Sequence, residues 1–266
     1  MLTNAHNLKG LKIQALDGEL GSVEQFYFDD ESWGIRYLVV DTGGWLSGRE
    51  VLISPISITH TDWPAKRVHV ALTKRQVEES PGIETHRPIS RRHEAEYMGY
   101  YGYPYYWGGP SLWGPAFYPS GMALQPCLSA EAIAQRSLTE SSDSHLRDSA
   151  AVTGYDIEAH DGEIGHLQGF LVDTDAWAIR YLEVATRNWW PGKRVLLAPG
   201  WIEQMSWLES KVFVGLDRAA IQSCPEYLES MPVDRAYENQ IYVHYGQPPY
   251  WIHQTDRKSA LDLIGV

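Results

Sequence analysis

The sequence is short of several things, and each shortage narrows the field. It has only two cysteines, Cys127 and Cys224, in 266 residues. They stand at unrelated places, which argues against a disulfide framework and points to a reducing, cytoplasmic setting. Basic residues are outnumbered, with 22 Lys and Arg against 34 Asp and Glu, for a formal net charge of −12. A phosphate-tracking nucleic-acid binder needs the opposite surplus to release counterions, so nucleic acid is not an expected partner. An acidic membrane surface is disfavoured on the same ground. No apolar run approaches the roughly 20 residues of a membrane span. The opening MLTNAHNLKG lacks the apolar core of a signal peptide. The chain reads as soluble and cytoplasmic.

Catalytic signatures are scarce too. G-x-S-x-G, paired C-x-x-C, H-E-x-x-H and G-x-x-x-x-G-K-[ST] do not occur. His93-Glu94 has no second histidine at the required spacing. A metal site built into a repeated unit would need ligands repeated with it, and the ten histidines never share a repeat position. His160 and His166 flank one hairpin, where Leu16 and Ser22 stand in the other copy. The expectation is therefore no catalytic residue, no metal and no cofactor.

What the sequence does have is a duplication. DGELGSVEQFYFDDESWGIRYLVVDTGGWLSGREVL (17–52) returns as DGEIGHLQGFLVDTDAWAIRYLEVATRNWWPGKRVL (161–196), 144 residues on and without a gap. A repeat of that length governs the architecture. The match outlasts this stretch: HRPISRRHEAEYMGYYGYPYYW (86–107) aligns with SMPVDRAYENQIYVHYGQPPYW (230–251) at the same offset. The expected domains are 1–107 (repeat 1 with helix and aromatic tail), 108–149 (linker) and 150–266 (repeat 2 with helix and aromatic tail). Units of about a hundred residues bury only about 60–65% of their unfolded surface, so contact between them is expected.

Within each copy the signals favour strands. Leu8–Leu16 ends at Asp17-Gly18, a hairpin turn. Gly21–Phe28 continues as a strand to the acidic turn 29–32. Trp33–Val40 alternates, with Trp33, Ile35, Tyr37 and Val39 on one face and Arg36, Leu38 and Val40 on the other. Leu38, Val40, Leu182 and Val184 are the core choice; Glu183, replacing Val39, suggests a wet edge. Arg49–Ile53, stopped by Pro55, and the pair Ile56–His60 and Arg67–Leu72 complete six short strands. That pattern predicts a small antiparallel barrel, which disposes of sheet edges. Thr73–Gln76 has the form of a capping box opening a short helix before Pro81. The 86–107 and 230–251 stretches predict a helix followed by an aromatic-proline tail, either strapped to the chain itself or acting as a recognition arm. The strap is favoured. Gly108–Ser149 begins irregularly, Gly- and Pro-rich. Ser129–Ser137 suggests a helix, and Ser259–Val266 a docking or fraying end.

The DGE-x-G hairpin, the W-x-I-R-Y-L strand, and W-x-x-G-[RK]-x-V-L followed by proline resemble the PRC-barrel domain, over about 8–80 and 152–224. That module is known from the photosynthetic reaction-centre H subunit and from the C-terminal half of the ribosome maturation factor RimM. The resemblance implies an all-β chain of two tandem small antiparallel barrels with short helices, aromatic C-terminal straps and a pseudo-two-fold. The chain lacks the membrane helix of the H subunit and the N-terminal domain of the maturation factor, so neither activity is carried over.

Candidate structural and interface residues are Trp33, Arg36, Tyr37, Trp45 and Trp107, with Trp177, Arg180, Tyr181, Trp189 and Trp251 at the matching positions. Arg36 and Arg180 are expected to pair with a carboxylate, Asp17 or Asp29 and their counterparts, rather than with a ligand anion. Asp17, Glu19, Asp29, Asp161, Glu163 and Asp173 are read as turn formers rather than as a cation site or proton relay. The tryptophans, Trp63 and Trp207 among them, are read as filling barrel ends rather than holding an aromatic ligand. The expected function is a non-catalytic protein–protein interaction or scaffold module of the bacterial cytoplasm. Its partner is an unidentified protein, with barrel–barrel contact inside the chain and a homo-oligomer also compatible. The alternative is an H-subunit-like accessory of reaction-centre electron transfer, associating peripherally with a membrane complex. A third, less favoured, is an enzyme with a site between the barrels.

Overall fold

The computed structural model describes residues 1–46, 48–82, 89–107, 109–122, 145–186 and 193–252. Trp189, the Ser129–Ser137 helix and the Ser259–Val266 end lie outside them. The protein is mostly β, with two seven-stranded mixed sheets and few, short helices.

In chain order, β1 (Leu2–Asn4) and a 3-10 turn, η1 (Ala5–Leu8), precede β2 (Lys12–Ala15), β3 (Gly18–Asp29), β4 (Ile35–Asp41) and β5 (Glu50–Ile53). The turn η2 (Pro55–Ser57) leads into β6 (Ile58–Asp62) and β7 (Arg67–Val70), then α1 (Lys74–Glu78) and α2 (Arg91–Tyr101). Next come α3 (Pro119–Met122), β8 (Leu146–Asp148) and α4 (Ser149–Val152). The second series is β9 (Asp156–Ala159), β10 (Gly162–Asp173), β11 (Ala178–Thr186), β12 (Arg194–Leu197), η3 (Pro199–Trp201), β13 (Ile202–Ser206), β14 (Lys211–Val214), α5 (Arg218–Ser223) and α6 (Arg235–Tyr245).

The strand orders run in parallel: β5-β4-β3-β2-β7-β6 in one sheet and β12-β11-β10-β9-β14-β13 in the other. Two expectations need correcting. The sheets are not wholly antiparallel, because β2 runs antiparallel to β3 but parallel to β7, and β9 runs parallel to β14. Nor does the hydrogen-bonded path close into a barrel, since β5 and β6 are not neighbours in it. Pro55 and Pro199 open the intervening 3-10 turns, and a proline there both withholds a ladder donor and redirects the chain.

Two compact units result: Met1–Gly154 with Gly169–Leu182, and Tyr155–Gln168 with Glu183–Val266. The first therefore contains the tip of the β10–β11 hairpin. Inside it β1 pairs with the end of β10 (Leu2↔Asp173 to Asn4↔Leu171), while β8 pairs with the end of β3 (Tyr27↔Asp148 to Asp29↔Leu146). The two hairpin tips are stitched by Ile35 N–H donating to the Trp177 carbonyl and Ile179 N–H to that of Trp33, both at 2.8 Å. Phe170 lies edge-on to Phe26, with ring centres 6.0 Å apart.

Local chemistry explains the turns. The Asp29 carboxylate accepts from the Glu31 and Ser32 N–H groups at 3.0 Å each, and Asp173 from Asp175 N–H at 3.1 Å. The following tryptophans are left-handed, Trp33 at φ 60 and Trp177 at φ 50. So the strand expected from Trp33 starts at Ile35, and the indole occupies the reversal instead. At Gly21 a Cβ would stand 1.9 Å from the Asp41 carbonyl oxygen, and at Gly165 2.0 Å from that of Ala185, so only glycine admits the neighbouring strand. Thr73 and Gln76 form the expected capping box.

The core choices Leu38, Val40, Leu182 and Val184 are all buried. The wet edge at Glu183 is wrong: the residue is buried, its carboxylate held at 2.7 Å by Arg194 Nη1. A polar side chain takes an apolar position because the neighbouring strand brings its partner. The Gly/Pro-rich stretch is irregular but packed, with Trp113 fully buried and its Nε1 donating to the Ala176 carbonyl at 2.8 Å.

Candidate functional site

The most concentrated chemistry of the first unit lies where α2 and its tail meet β4. Ser90 caps α2, accepting from His93 N–H, and Gly102 closes it in the left-handed conformation. Register then turns Glu94, Tyr97 and Met98 inward. Tyr97 is tied to the end of β5, its hydroxyl donating to the Leu52 carbonyl at 3.0 Å and accepting from Ser54 N–H at 3.1 Å.

Glu94 is the centre, 2% exposed. Its Oε1 accepts from the Tyr106 hydroxyl and, at 3.4 Å, from that of Tyr37; its Oε2 accepts from Arg91 Nη1 at 3.1 Å. Arg91 Nη1 also reaches the Tyr106 hydroxyl at 2.8 Å. Burial pushes the Glu94 carboxyl up to about 7, against the opposing pull of Arg91 and of the Tyr106 hydrogen bond. The same burial drives Tyr37 and Tyr106 well above the usual phenol range.

Arg36 lies beside this group. Its guanidinium sits 3.8 Å from the Tyr106 ring centre and 4.8 Å from that of Trp113. Its Nη2 donates to Ser32 Oγ at 2.7 Å and approaches Asp29 Oδ2 at 3.5 Å. Gly34 leaves room for it, since a Cβ there would stand 2.8 Å from the guanidinium carbon. Arg180 forms the corresponding pair with Asp173 Oδ2 at 2.9 Å. The expected carboxylate pairing thus occurs through Asp29 and Asp173. Asp17 and Asp161 do something else, accepting from the first N–H of α1 and α5 at 2.8 Å each.

The second unit carries its own Glu–Arg–Tyr group. Tyr250 donates to Glu238 Oε1 at 3.0 Å, Arg235 Nη1 stands 2.9 Å from Glu238 Oε2, and the Arg235 guanidinium lies 4.1 Å from the Trp251 ring centre. In the first unit Arg91 lies 4.5 Å from the Trp107 ring centre. The basic residue of W-x-x-G-[RK] is a clamp on a helix end: Arg49 donates to the Ser80 carbonyl at 3.1 Å, and Lys193 to those of Gln222 and Cys224 at 2.6 and 2.8 Å.

Of the expected residues, Arg36, Tyr37 and Trp107 gather around Glu94, and Trp251 around Glu238. Trp33 stacks on Phe28 at 5.3 Å, and Trp177 and Tyr181 are buried. Trp45 stands apart, its Nε1 donating to the Leu20 carbonyl and its ring 5.0 Å from Lys74 Nζ. Sequence reasoning missed Glu94, Arg91, Tyr106 and Trp113 as a site. The first three recur at the 144 offset within the helix and tail, which was the available signal; Trp113 had none. Cys224 is buried, and burial pushes its thiol up to about 11, away from the thiolate form.

One histidine pair does come together, His60 and His69, with parallel rings 4.1 Å apart at centre. Among the described residues no group of three or more His, Cys, Asp or Glu is placed to hold a metal ion, and no helix is long and apolar enough to cross a membrane.

The family model of the PRC-barrel domain matches residues 3–77. No curated protein matches the chain.

Proposed function

We propose, from the PRC-barrel domain at residues 3–77, that the chain is a non-catalytic binding or scaffold module acting through protein–protein contact in the cytoplasm. The observation that supports this most is the direction of its charged groups. Asp17 and Asp161 bind helix starts, Asp29 and Asp173 bind turns and arginines, and Glu94 is sealed by two phenols and an arginine. Groups committed to each other in this way hold the fold and are not presented to a substrate. We read the 144-residue correspondence of elements as the duplication of one module, spanning 1–107 and 150–266 about a pseudo-two-fold. In that reading the aromatic tails serve as straps. The acidic balance favours a partner with a basic face.

The second reading, an accessory of reaction-centre electron transfer, draws on Glu94: a carboxyl near neutrality beside two hydroxyls can hold a proton. Crosslinking mass spectrometry on the full chain in its native host separates the two. The scaffold reading expects reproducible cross-links to one defined protein outside the photosynthetic apparatus. Links to photosynthetic membrane subunits would replace it with the second reading. Turnover of a small molecule by the purified chain, lost in E94Q, would overturn both.

A further inference from the structure

The hairpin β6–β7 carries an arrangement that the fold does not need. His60 and His69 are direct partners across its antiparallel ladder. Their rings lie parallel within 9° at 4.1 Å. His60 is exposed and His69 partly so. The hairpin is otherwise held by its own means: the backbone ladder, Thr59 Oγ1 donating to the His69 carbonyl at 3.1 Å, and Asp62 accepting from Ala65 N–H at 3.0 Å across the turn. The matching hairpin of the other series has Gln204 and Phe213 at these places and keeps the same antiparallel pairing. The imidazole pair is therefore specific to one copy, and His60 Nδ1 lies 3.3 Å from the same Thr59 hydroxyl.

We propose that His60 and His69 form a surface site for a borderline divalent transition-metal ion, Zn²⁺, Ni²⁺ or Cu²⁺, with one ring nitrogen from each histidine and water completing the coordination. Directly opposed residues of an antiparallel pair have Cβ atoms about 4.5–5.5 Å apart. That span lets two imidazoles close on one ion at metal–nitrogen distances of about 2.0–2.1 Å. Stacked rings do not share an ion, so each ring turns about its own χ2 to aim a nitrogen inward, and the exposed edge of the hairpin leaves it free to do so. Imidazole selects these ions over Mg²⁺ and Ca²⁺, which prefer oxygen. Two protein ligands make an exchangeable site rather than a structural one, since water fills the remaining positions. Asp62 lies two residues along the same face of β6, opposite Arg67 in the ladder.

The test uses the full chain with H60N, H69N and H60N/H69N. Melting is followed in EDTA and then in a nickel chloride series, because an ion that binds only the folded pair raises the melting temperature with concentration. The wild type should show that rise. Removing a ligand should weaken binding by at least roughly the tenfold that losing a mere supporting partner costs, so either single variant should lose most of the rise. With one equivalent of Cu²⁺, electron paramagnetic resonance should report two equatorial imidazole nitrogens in the wild type and one in each single variant. A melting shift unchanged in the double variant would overturn the proposal. So would a wild-type copper spectrum identical to that of the double variant.

Discussion

The two Glu–Arg–Tyr groups, one in each unit, use the same residue types at the same spacing and end in different surroundings. Glu94 and Glu238 are equally buried at 2%. Their arginines are not: the Arg91 side chain is 16% exposed and that of Arg235 is 53% exposed. Tyr106 is fully buried and meets its arginine at 2.8 Å, whereas Tyr250 is only partly buried and stands at 3.5 Å. What repeats is the chemistry; what does not repeat is the solvent around it. An ion pair closed off from water has strong attraction and a large cost if broken, while the same pair in contact with water has neither.

Three pairs of substitutions probe that difference, beginning with the largest effect. G21A and G165A should each destabilise by on the order of 4 kcal/mol, because the added Cβ meets backbone rather than a yielding side chain. Equal losses in urea unfolding would show that the sheets tolerate matched insults equally, and so isolate later inequalities to the arginine environment. R91A should cost about 3 kcal/mol, because it removes a guanidinium that is itself largely buried, whereas R235A should cost about 1 kcal/mol, because the water that reaches the half-exposed Arg235 side chain can take its place beside Glu238. Equal costs for the two arginines would dissolve the contrast. Y106F should cost about 2 kcal/mol and Y250F about 1, since Tyr106 is fully buried whereas water reaches the partly buried Tyr250 and can replace its hydroxyl. Amide exchange along α2 and α6 would register each loss locally.

Much of the fold could be read in the residues. The Asp-Gly turns, the capping box at Thr73, the stop at Pro81 and the helix-plus-tail are local signals, and all but the capping box are written again 144 residues on. What escaped was non-local. β1 and β8 are three residues long and pair with strands distant in sequence, so neither periodicity nor turn chemistry marks them. The parallel pairing of β2 with β7 depends on how the chain returns past Pro55, which alternation of side chains does not encode. Glu94 and Glu183 look like surface acids in any window of sequence; only the arrival of Tyr106, Arg91 or Arg194 makes their burial affordable. His60 and His69 are separated by a turn whose register decides whether they face each other, and a one-residue slip would part them.

Glu94 is a structural carboxyl kept from water, and its titration tests this most directly. Its folded value of about 7 exceeds the ordinary 4.5, so the folded chain holds a proton that the unfolded chain has released. The stabilisation is complete below about 4.5 and disappears as pH rises through about 7, amounting to on the order of 3 kcal/mol. Urea unfolding of wild type and E94Q between pH 4 and 8.5 should give curves whose difference changes by about that much across this window, with the wild type losing ground as pH rises. Parallel curves, or a wild type that gains on E94Q with rising pH, would contradict it.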